Sequence, residues 1–443
     1  HLLVRHGLIN NDFLAAHVQG FEELKEKILP DFPPEKVSQL TGLSPETLEF
    51  MAKAYGRAKA PFIRLGSGLS RYGNGAMTIR TIVCLPALVG AYGKRGAGCF
   101  TATNTGEAFA MNEILREDFM TKKTRIANMN RIGWALNEIQ DPPIQSLYVY
   151  SSNPAAVAPD QNQVLKGLAR EDLFTVVHER FLTDTVRYAD IVLPATSSLE
   201  QSDLYRSYGT YCIQRAKPVI PPVGESKSNW EVFSLLAKAM GFDQPFFRQT
   251  ADDLIDYLLS LPAPIRNGID QKAFAVGKAV EIPLPSDARI RFRTPSGKVE
   301  ILNPKQSHPL PLYIPPYGGD EPFYLMAAPS FYALNSSFRE RGDLRRKERG
   351  MLLKMNPADA EGKGLRERDP VIAFNRLGEV SFLLRVTPDV PQGVVVAEGV
   401  WWLEHSPGPR SVNALTSQRL TDQAQGSTFY DNTVDVRPAQ REL

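Results

Sequence analysis

Short apolar runs alternate with segments of helical periodicity through the first half of the chain. The clearest series predicts strands at 147–150, 173–177 and 190–193, with helices between them at about 160–169 and 183–188. Strands that alternate with helices in this way predict a parallel, doubly wound α/β sheet with right-handed crossovers. Ligands of such sheets bind beyond the carboxyl ends of the strands. The polar residues at those ends are Ser151, Ser152, Asn153, His178, Glu179 and Thr196.

A glycine-rich loop separates an apolar strand at 61–65 from a long helix predicted over 74–92. Its residues Gly66, Ser67 and Gly68 expose backbone N–H groups, and the helix that follows supplies partial positive charge at its N-terminus. These features are typical of phosphate binding, but the spacing departs from G-x-G-x-x-G and a plain tight turn would use the same residues. Within the loop, Arg71 either offers a cationic fork to a substrate oxyanion or carboxylate, or lies in solvent.

The character of the sequence changes after residue 261. Residues 262–320 are rich in proline and glycine, which predicts a linker between domains. Strand-like runs then follow and predict a β-barrel-like domain. These runs cover 322–328, 370–375, 379–387 and 394–398. The predicted domains are therefore α/β segments at 1–102 and 103–261, the linker at 262–320 and the barrel at 321–443.

Composition excludes several classes of function. The 443 residues contain 51 Lys and Arg against 49 Asp and Glu, and this balance gives no field that would attract nucleic acid. No apolar run approaches the roughly 20 residues that a membrane-spanning helix needs. The three cysteines, Cys84, Cys99 and Cys212, form no C-x-x-C pair, and the six histidines show no zinc spacing. The sequence contains no hydrolase or phosphoryl-transfer motif.

Several polar or aromatic groups also have an ordinary structural explanation. Asn153 before a proline turns a chain as readily as it binds a ligand, and Asp190 before an apolar run can end an element. The basic run at 339–349 is interleaved with acidic residues, which favours a solvated face over an anion-binding groove. The pair Trp401 and Trp402 is more typical of a core than of a stacking platform. Local pattern alone leaves these alternatives open.

Taken in order, many phrases of the sequence resemble the molybdopterin oxidoreductase family, which includes dimethyl sulfoxide reductase, formate dehydrogenase and thiosulfate reductase. The resemblance runs nearly from end to end. The matching phrases lie at 65–68, 90–96, 150–154, 180–194, 294–298, 334–338, 355–360, 412–416 and 426–431. It implies α/β domains that bind a pair of molybdopterin guanine dinucleotides with molybdenum or tungsten, followed by a C-terminal double-psi β-barrel domain that closes over both pterins.

The resemblance also implies particular site residues. By matching position, Arg71 would face the substrate, and Glu179 would accept hydrogen bonds from guanine, although many family members have Asp there. The residues implied to bind the dinucleotides are Gly66, Ser67, Gly68, Asn104, Ser152, Asn153, His178, Glu179, Thr196, Asn335, Ser336, Ser337, Asn413, Phe429 and Tyr430. Glycines suit a pyrophosphate, and carboxylate and amide groups suit guanine and pterin edges.

The family's [4Fe–4S] cysteine cluster and the Cys, selenocysteine, Ser or Asp ligand of its metal match nothing in this sequence, which opens within helical periodicity. We therefore expect a C-terminal portion of such an enzyme, inactive by itself, whose iron–sulfur cluster and metal ligand precede it. The intact enzyme would transfer two electrons or an oxygen atom to a small molecule. The thiosulfate-reductase-like branch is favoured by the wording at 335–338 and 429–431.

Further expectations follow from the same resemblance. An iron–sulfur electron-transfer subunit is the expected partner, and the cytoplasm is the expected compartment, with the periplasm open because a leader would precede this chain. Two alternatives stay open for the chain itself. One is a structural subunit of the same fold that has lost the cofactor, as in respiratory complex I, and the other is an inactive truncated remnant. The retained Asn335, Asn413 and glycine loop argue against the first.

Overall fold

The computed structural model describes residues 1–102, 105–283 and 292–439. The described chain divides into two compact units. The first unit comprises the described parts of 1–102, 284–316 and 421–424, and the second comprises those of 103–283, 317–420 and 425–443. No helix within the described ranges combines the length and apolar character that crossing a bilayer requires.

The first unit is mainly helical, with short parallel strand pairs. Ser44 caps the helix Pro45–Arg57 by accepting a hydrogen bond from the Thr47 N–H at 3.2 Å, and Pro45 occupies the first helical position, where its missing N–H costs nothing. The helices span Leu2–Arg5, Asn11–His17, Phe21–Lys27, Pro34–Thr41, Pro45–Arg57, Gly75–Ile82 and Cys84–Leu88. The strand Phe62–Arg64 pairs with Gly98–Phe100, and Val18–Gln19 pairs with Val299–Glu300.

The single long helix predicted over 74–92 is wrong, because the structure forms two helices there. The first spans Gly75–Ile82 and the second spans Cys84–Leu88, which contains Pro86. Proline has no N–H, so Pro86 cannot donate to the carbonyl of Ile82, and the helical hydrogen-bond series is interrupted at that point. The break places the apolar residues Ala87 and Leu88 in the core of the unit.

The second unit contains the parallel sheet that the sequence predicts. Its strands Ser146–Tyr150, Phe174–Glu179 and Ile191–Pro194 pair in sequence order, and the helix Gln161–Leu168 connects the first two. The remaining helices before the barrel span Asn112–Leu115, Ile132–Glu138, Pro154–Val157, Asn229–Ala239, Ala251–Ser260 and Gln271–Ala275. A three-stranded antiparallel sheet is formed by Asp203–Arg206, Cys212–Ala216 and Val280–Glu281. The alternation of strand and helix thus gives a mixed α/β fold, as expected.

The described part of 262–320, for which the sequence predicts a linker, packs into both units. Phe274, on the helix Gln271–Ala275, and Ile282 are buried in the second unit. Ile301 is buried in the core of the first unit, next to the strand Val299–Glu300. Apolar side chains that are buried in this way stabilise the fold, whereas a free linker would leave them in water.

The C-terminal part of the second unit is a closed six-stranded barrel. Its strands are Phe323–Ala328, Leu352–Met355, Pro370–Asn375, Gly378–Val386, Val394–Glu398 and Asn432–Pro438. Two neighbouring pairs are parallel, Phe323–Ala328 with Val394–Glu398 and Leu352–Met355 with Gly378–Val386, and the other pairs are antiparallel. Short helices at Gly342–Glu348 and Pro357–Gly362 complete this part. The inward residues, among them Leu353, Val371 and Val395, fill the barrel interior.

Candidate functional site

The carboxyl edge of the parallel sheet brings together several residues that the sequence selects. His178 and Glu179 end the central strand, and their register partners are Tyr150 on one side and Leu193 and Pro194 on the other. Residues that follow parallel strands lie at the same edge of a sheet, so the turn at 151–153 and Thr196 are neighbours of this pair. The expected binding edge is therefore assembled within the second unit.

His178 and Thr183 hold polar atoms at this edge that nothing described in the protein satisfies. His178 is fully buried, and its Nε2 lies 3.1 Å from the carbonyl oxygen of Lys227. Its Nδ1 and the Oγ1 of buried Thr183 have no hydrogen-bond partner among the described residues. A buried polar atom without a partner costs about 1–3 kcal/mol, so two of them near one strand end indicate a place where a polar ligand group fits.

Glu179, Thr196 and Ser152 complete the polar lining of the edge. The Glu179 carboxylate accepts a hydrogen bond from the Arg180 N–H at 2.8 Å and lies 3.8 Å from the Arg180 guanidinium. The Thr196 hydroxyl donates to Oε1 of Gln201 at 2.8 Å. Ser152 is exposed. Carboxylate and hydroxyl oxygens accept hydrogen bonds, so this group can receive the amino and ring N–H groups of a heterocycle.

Asn153 lies at the same edge, but its side chain is engaged within the protein. Its Nδ2 donates to buried Asp184 at 3.1 Å, and its Oδ1 accepts from the N–H and the hydroxyl of Thr185 at 3.1 and 2.8 Å. Asp184 in turn accepts from the Leu403 N–H at 2.9 Å. Burial raises the pKa of Asp184, and the hydrogen bonds from Asn153 and Leu403 oppose that shift. Asn153 therefore shapes the edge, and Ser151 and Ser152 before it are exposed.

Asn413 is likewise buried and hydrogen-bonded to the protein. Its Nδ2 donates to the Ala156 carbonyl at 2.9 Å, and its Oδ1 accepts from the Thr416 hydroxyl at 3.2 Å. Ser411 donates to the same carbonyl at 2.9 Å, and the Ser411 N–H donates to Oε1 of Gln161 at 2.8 Å. These contacts join the barrel segment to the helices Pro154–Val157 and Gln161–Leu168, which follow the first strand of the sheet. Its hydrogen bond to Ala156 thus places Asn413 beside the carboxyl edge of the parallel sheet.

The barrel loop with Asn335, Ser336 and Ser337 is a tight turn. Asn335 has a positive φ of 56°, and Leu334 and Ser337 exchange backbone hydrogen bonds. The Ser336 carbonyl accepts from Nε1 of Trp402 at 2.8 Å. Trp402 precedes Leu403, whose N–H reaches Asp184 at the sheet edge. This continuous series of contacts connects the loop to the edge within the second unit.

Arg339 differs from the solvated face that the sequence predicts for the basic run at 339–349. Its side chain is 1% exposed, forms an ion pair with Glu348 and donates from Nε to the Val400 carbonyl at 2.8 Å. Its guanidinium also stacks over Trp401, 4.4 Å from the ring centroid. Planar guanidinium groups pair with carboxylates and stack on aromatic rings in this way. The contacts of Arg339 with Glu348, Val400 and Trp401 therefore hold the Asn335 loop against the barrel. Both tryptophans, Trp401 and Trp402, are buried as predicted.

Phe429 and Tyr430 are partly buried just before the last barrel strand. Asp431, which follows them, accepts from the N–H groups of Tyr317 and Gly318 at 2.8 and 2.9 Å. This carboxylate fixes the backbone at the point where the chain passes from the two aromatic residues into the last barrel strand. Asn104, the remaining residue that the resemblance selects, lies outside the described residues.

The glycine loop belongs to the first unit. Gly66 and Ser67 are exposed, Gly68 and Arg71 are partly buried, and Ser67–Arg71 forms a turn of 3₁₀ helix. The N-terminus of the helix Gly75–Ile82 is capped by a carboxylate of this chain, that of Asp422. The sequence pattern indicates phosphate binding at this helix N-terminus. It does not predict the contact with Asp422, because a single acidic residue in a polar segment has the pattern of a solvent-exposed side chain.

Cys84 and Cys99 have the surroundings of structural thiols. Burial raises the pKa of Cys84 to about 11, and it also raises the pKa of Cys99. Across the described ranges no three His, Cys, Asp or Glu side chains are grouped so as to hold a metal ion. The three cysteines are free thiols and belong to elements other than the strands that form the sheet edge.

Comparison with known proteins identifies the family. A model described as molybdopterin oxidoreductase matches residues 33–239, and one described as molydopterin dinucleotide binding domain matches residues 323–433. The chain is 40% identical to the probable oxidoreductase YoaE of Bacillus subtilis, over 98% of this chain and 65% of that protein. It is 26% identical to the F420-dependent formate dehydrogenase 1 subunit alpha of Methanococcus maripaludis, over 89% of this chain and 61% of that protein.

A solved structure supports the same fold. Acetylene hydratase from Pelobacter acetylenicus superposes with a TM-score of 0.80 at 20% identity, over 99% of this chain and 69% of that one. The chain spans less than two thirds of the length of the two curated relatives named above. The parallel sheet falls within the first matched region, and the closed barrel falls within the second except for residues 434–438 of its last strand. This chain belongs to the molybdopterin oxidoreductase family.

Proposed function

We propose that the chain is part of the catalytic subunit of an oxidoreductase that depends on molybdopterin guanine dinucleotide and transfers two electrons or an oxygen atom at molybdenum or tungsten. The observation that supports this most directly is the pair of unsatisfied buried atoms at the sheet edge, His178 Nδ1 and Thr183 Oγ1. They lie within the region that matches the family model. When bound, the cofactor would supply the redox chemistry, and the protein would supply binding and orientation.

The donor set at the sheet edge fits a guanine-like group. His178 Nδ1 can donate or accept according to its tautomer, the Thr183 hydroxyl can do either, and the Glu179 carboxylate accepts from N–H groups. Guanine presents both N–H groups and a carbonyl oxygen, so it can satisfy all three. The exposed Ser152 and the Thr196 hydroxyl would add contacts around it. Asn153 and Asn413, whose amides are engaged within the protein, would act by fixing the backbone beside the ligand.

The barrel loop fits the same proposal from the other part of the second unit. Asn335, Ser336 and Ser337 turn tightly and are held by Trp402 and the buried Arg339. Phe331 and Leu334 on this loop are 92% and 70% exposed. Apolar side chains that are held exposed on a fixed loop favour a face that covers a largely planar ligand. In the first unit, Gly66, Ser67 and Gly68 would supply backbone N–H groups, and Arg71 would face the substrate.

The proposed substrate, partner, iron–sulfur cluster and compartment rest on the resemblance of the sequence to the molybdopterin oxidoreductase family. We infer a thiosulfate-reductase-like substrate from residues 335–338 and 429–431, and an iron–sulfur subunit as the electron-transfer partner. We infer a [4Fe–4S] cluster for the whole enzyme, and the cytoplasm is the proposed compartment. Turnover of thiosulfate, formate and dimethyl sulfoxide by the full-length enzyme would decide among the branches, since each relative rate reports one substrate class.

The test of cofactor binding uses the 443-residue chain purified from a host that makes the cofactor. Fluorescence of the oxidised pterin and metal analysis by mass spectrometry should show bound dinucleotide. We expect His178→Ala and Glu179→Gln to lower the bound pterin several-fold. Glu171→Gln, an exposed change in the same unit, should leave it unchanged.

Each outcome of that test has a definite meaning. Pterin without stoichiometric metal would support cofactor binding by a chain that lacks the metal ligand, and stoichiometric molybdenum or tungsten would overturn the expectation that this chain alone is inactive for want of that ligand. Wild-type chain that contains no pterin would contradict the proposal and favour the structural-subunit alternative. Equal pterin in His178→Ala and wild type would show that the sheet edge is not the binding site.

A further inference from the structure

The helix Gly75–Ile82 begins directly after the glycine loop, and its N-terminus needs an anion or a capping acceptor. The first N–H groups of a helix have no partner within it and carry partial positive charge. Asn74 occupies the capping position, but its side chain makes no cap hydrogen bond. Its Nδ2 donates instead to the carbonyl of Ile314. The side chain at the capping position therefore leaves this helix end to another group.

Gly75 cannot supply the cap either. A Cβ at this position would lie 2.5 Å from the carbonyl oxygen of Leu69, which is backbone and cannot move aside cheaply. The Gly75 N–H itself donates to the Tyr72 carbonyl at 3.0 Å. The tight approach of the loop to the start of the helix thus requires glycine and excludes a capping side chain there.

Asp422 supplies the missing acceptor from a distant part of the sequence. Its Oδ1 accepts from the Ala76 N–H at 3.0 Å and its Oδ2 from the Met77 N–H at 2.9 Å. Its own N–H donates to the Gly73 carbonyl at 2.8 Å. These three hydrogen bonds hold both sides of the junction between loop and helix. Residues 421–424 belong to the first unit together with this loop, while the residues on either side of them in sequence belong to the second.

We infer that Asp422 is a positioning residue for the loop at 66–75, and that its carboxylate takes the place at the helix end which a phosphate would otherwise occupy. The positioning role rests on the proposed function, because it requires the loop to serve the cofactor and Arg71 to face the substrate. A carboxylate that accepts two N–H groups at a helix N-terminus is favoured by charge, and a second anion at the same point would be repelled. Phosphate contacts of this loop would then come from the backbone at 66–68.

The test compares Asp422→Ala and Asp422→Asn with wild type and with Glu26→Gln, an exposed acidic change in the same unit. Hydrogen–deuterium exchange of the segment 70–82 is measured on the 443-residue chain without cofactor. Loss of a helix cap should accelerate exchange by about five- to tenfold in Asp422→Ala. The exchange rate of Asp422→Asn, which retains one acceptor oxygen, should lie between those of wild type and Asp422→Ala. Added formate should restore protection in Asp422→Ala, because a small anion can fill the vacated helix end, and should leave Glu26→Gln unchanged.

Bound pterin provides the second readout. We expect Asp422→Ala to retain several-fold less pterin than wild type, and formate during expression or reconstitution to restore part of the difference. Equal exchange over 70–82 in Asp422→Ala and wild type would overturn the inference that Asp422 caps the helix. Faster exchange with unchanged pterin content would overturn the positioning role. A wild-type chain that binds no pterin contradicts the proposed function, while the exchange and formate experiments still decide whether Asp422 caps the helix.

Discussion

Asp184 is a buried carboxylate that joins the sheet edge to the barrel through Asn153 and the N–H of Leu403. Transfer of a carboxylate from water to a buried site favours its neutral form, and this raises the pKa of Asp184 despite the two hydrogen bonds. The folded chain therefore binds this proton more tightly than the unfolded chain does. The contribution of Asp184 to stability should be complete below its ordinary pKa of 3.8 and be lost as pH rises through the higher folded-state pKa.

We predict that Asp184→Asn removes this pH dependence. The free energy of unfolding of wild type minus that of Asp184→Asn should fall as pH rises above about 4 and then become constant. Urea unfolding of both proteins at a series of pH values measures the difference. Asp243→Asn, an exposed change in the same unit, controls for the loss of one negative charge. A difference that grows with pH would show that the hydrogen bonds outweigh burial and that the ionised form is the stabilising one.

Individual residues at the edge were predictable where the local pattern alone decides their position. His178 and Glu179 end an apolar run, and parallel strands must end at a shared edge, so the sequence places them correctly. Asp184, Gln161 and Asp422 were missed as structural residues. Their partners lie in segments distant in sequence. A polar residue that bonds to distant backbone, whether buried like Asp184 and Gln161 or exposed like Asp422, has the same one-letter pattern as a solvated one.

At the scale of elements, the strand Val299–Glu300 and the residues after it lie closely against Gln19 and Gly20 within the first unit. Gly20, at the start of the helix Phe21–Lys27, has a φ of +85°, and a Cβ there would lie 2.5 Å from the backbone nitrogen of Leu302. The Leu302 N–H itself points to the Gln19 carbonyl at 3.4 Å. This segment of the predicted linker is thus fixed by a close backbone approach that only glycine permits.

We predict that Gly20→Ala destabilises the chain more than Gly42→Ala does. Both glycines have positive φ, but nothing lies within 4 Å of a Cβ at Gly42. Gly42→Ala should therefore cost about 1 kcal/mol from backbone strain alone. Gly20→Ala should cost about 1–3 kcal/mol more, because the Leu302 backbone must move. Thermal and urea unfolding measure both variants, and equal costs would show that 299–302 is not held against this helix.

Among the elements, the barrel shows where pattern reasoning reaches its limit. Four of its strands were predicted, because their apolar residues alternate or run continuously. Asn432–Pro438 was missed, since Asn432 and Thr433 are buried although polar, and their side chains bond within the barrel. Leu352–Met355 was missed because its short apolar run, interrupted by Lys354, cannot be told from a turn of helix by its pattern. Its place in the closed barrel comes from partners that lie some 30 to 40 residues later in the sequence.

At the scale of the whole molecule, the grouping of segments departs from their order along the chain. The sequence predicts domains as consecutive blocks, yet the α/β sheet and the barrel belong to one unit, and residues 421–424 belong to the other. Within the second unit, Gln161 is central to the contact between sheet and barrel. Its Oε1 accepts from the Ser411 N–H at 2.8 Å and its Nε2 donates to the Ala155 carbonyl at 2.6 Å. No local pattern contains this grouping, because it depends on contacts between distant segments.

We predict that the sheet and the barrel unfold together. Four tryptophans report on them separately, Trp134 and Trp230 in the α/β part and Trp401 and Trp402 in the barrel. In chains that retain one pair, with phenylalanine replacing the other, each fluorescence transition in urea should coincide with the circular dichroism transition of the same chain. Two separated transitions would show that the barrel is an independent domain.

The matched variant for that experiment is Gln161→Leu, which keeps the size of the side chain and leaves the Ser411 N–H and the Ala155 carbonyl buried without partners. The free energy of unfolding should fall by about 2 kcal/mol or more, because each unsatisfied buried group costs about 1–3 kcal/mol. If the sheet and barrel form one cooperative unit, both tryptophan pairs should shift to lower urea by the same amount. The exposed Gln145→Leu should shift neither. A shift confined to one pair would mean that this contact stabilises only its own part, and the edge beside His178 would then not depend on the barrel.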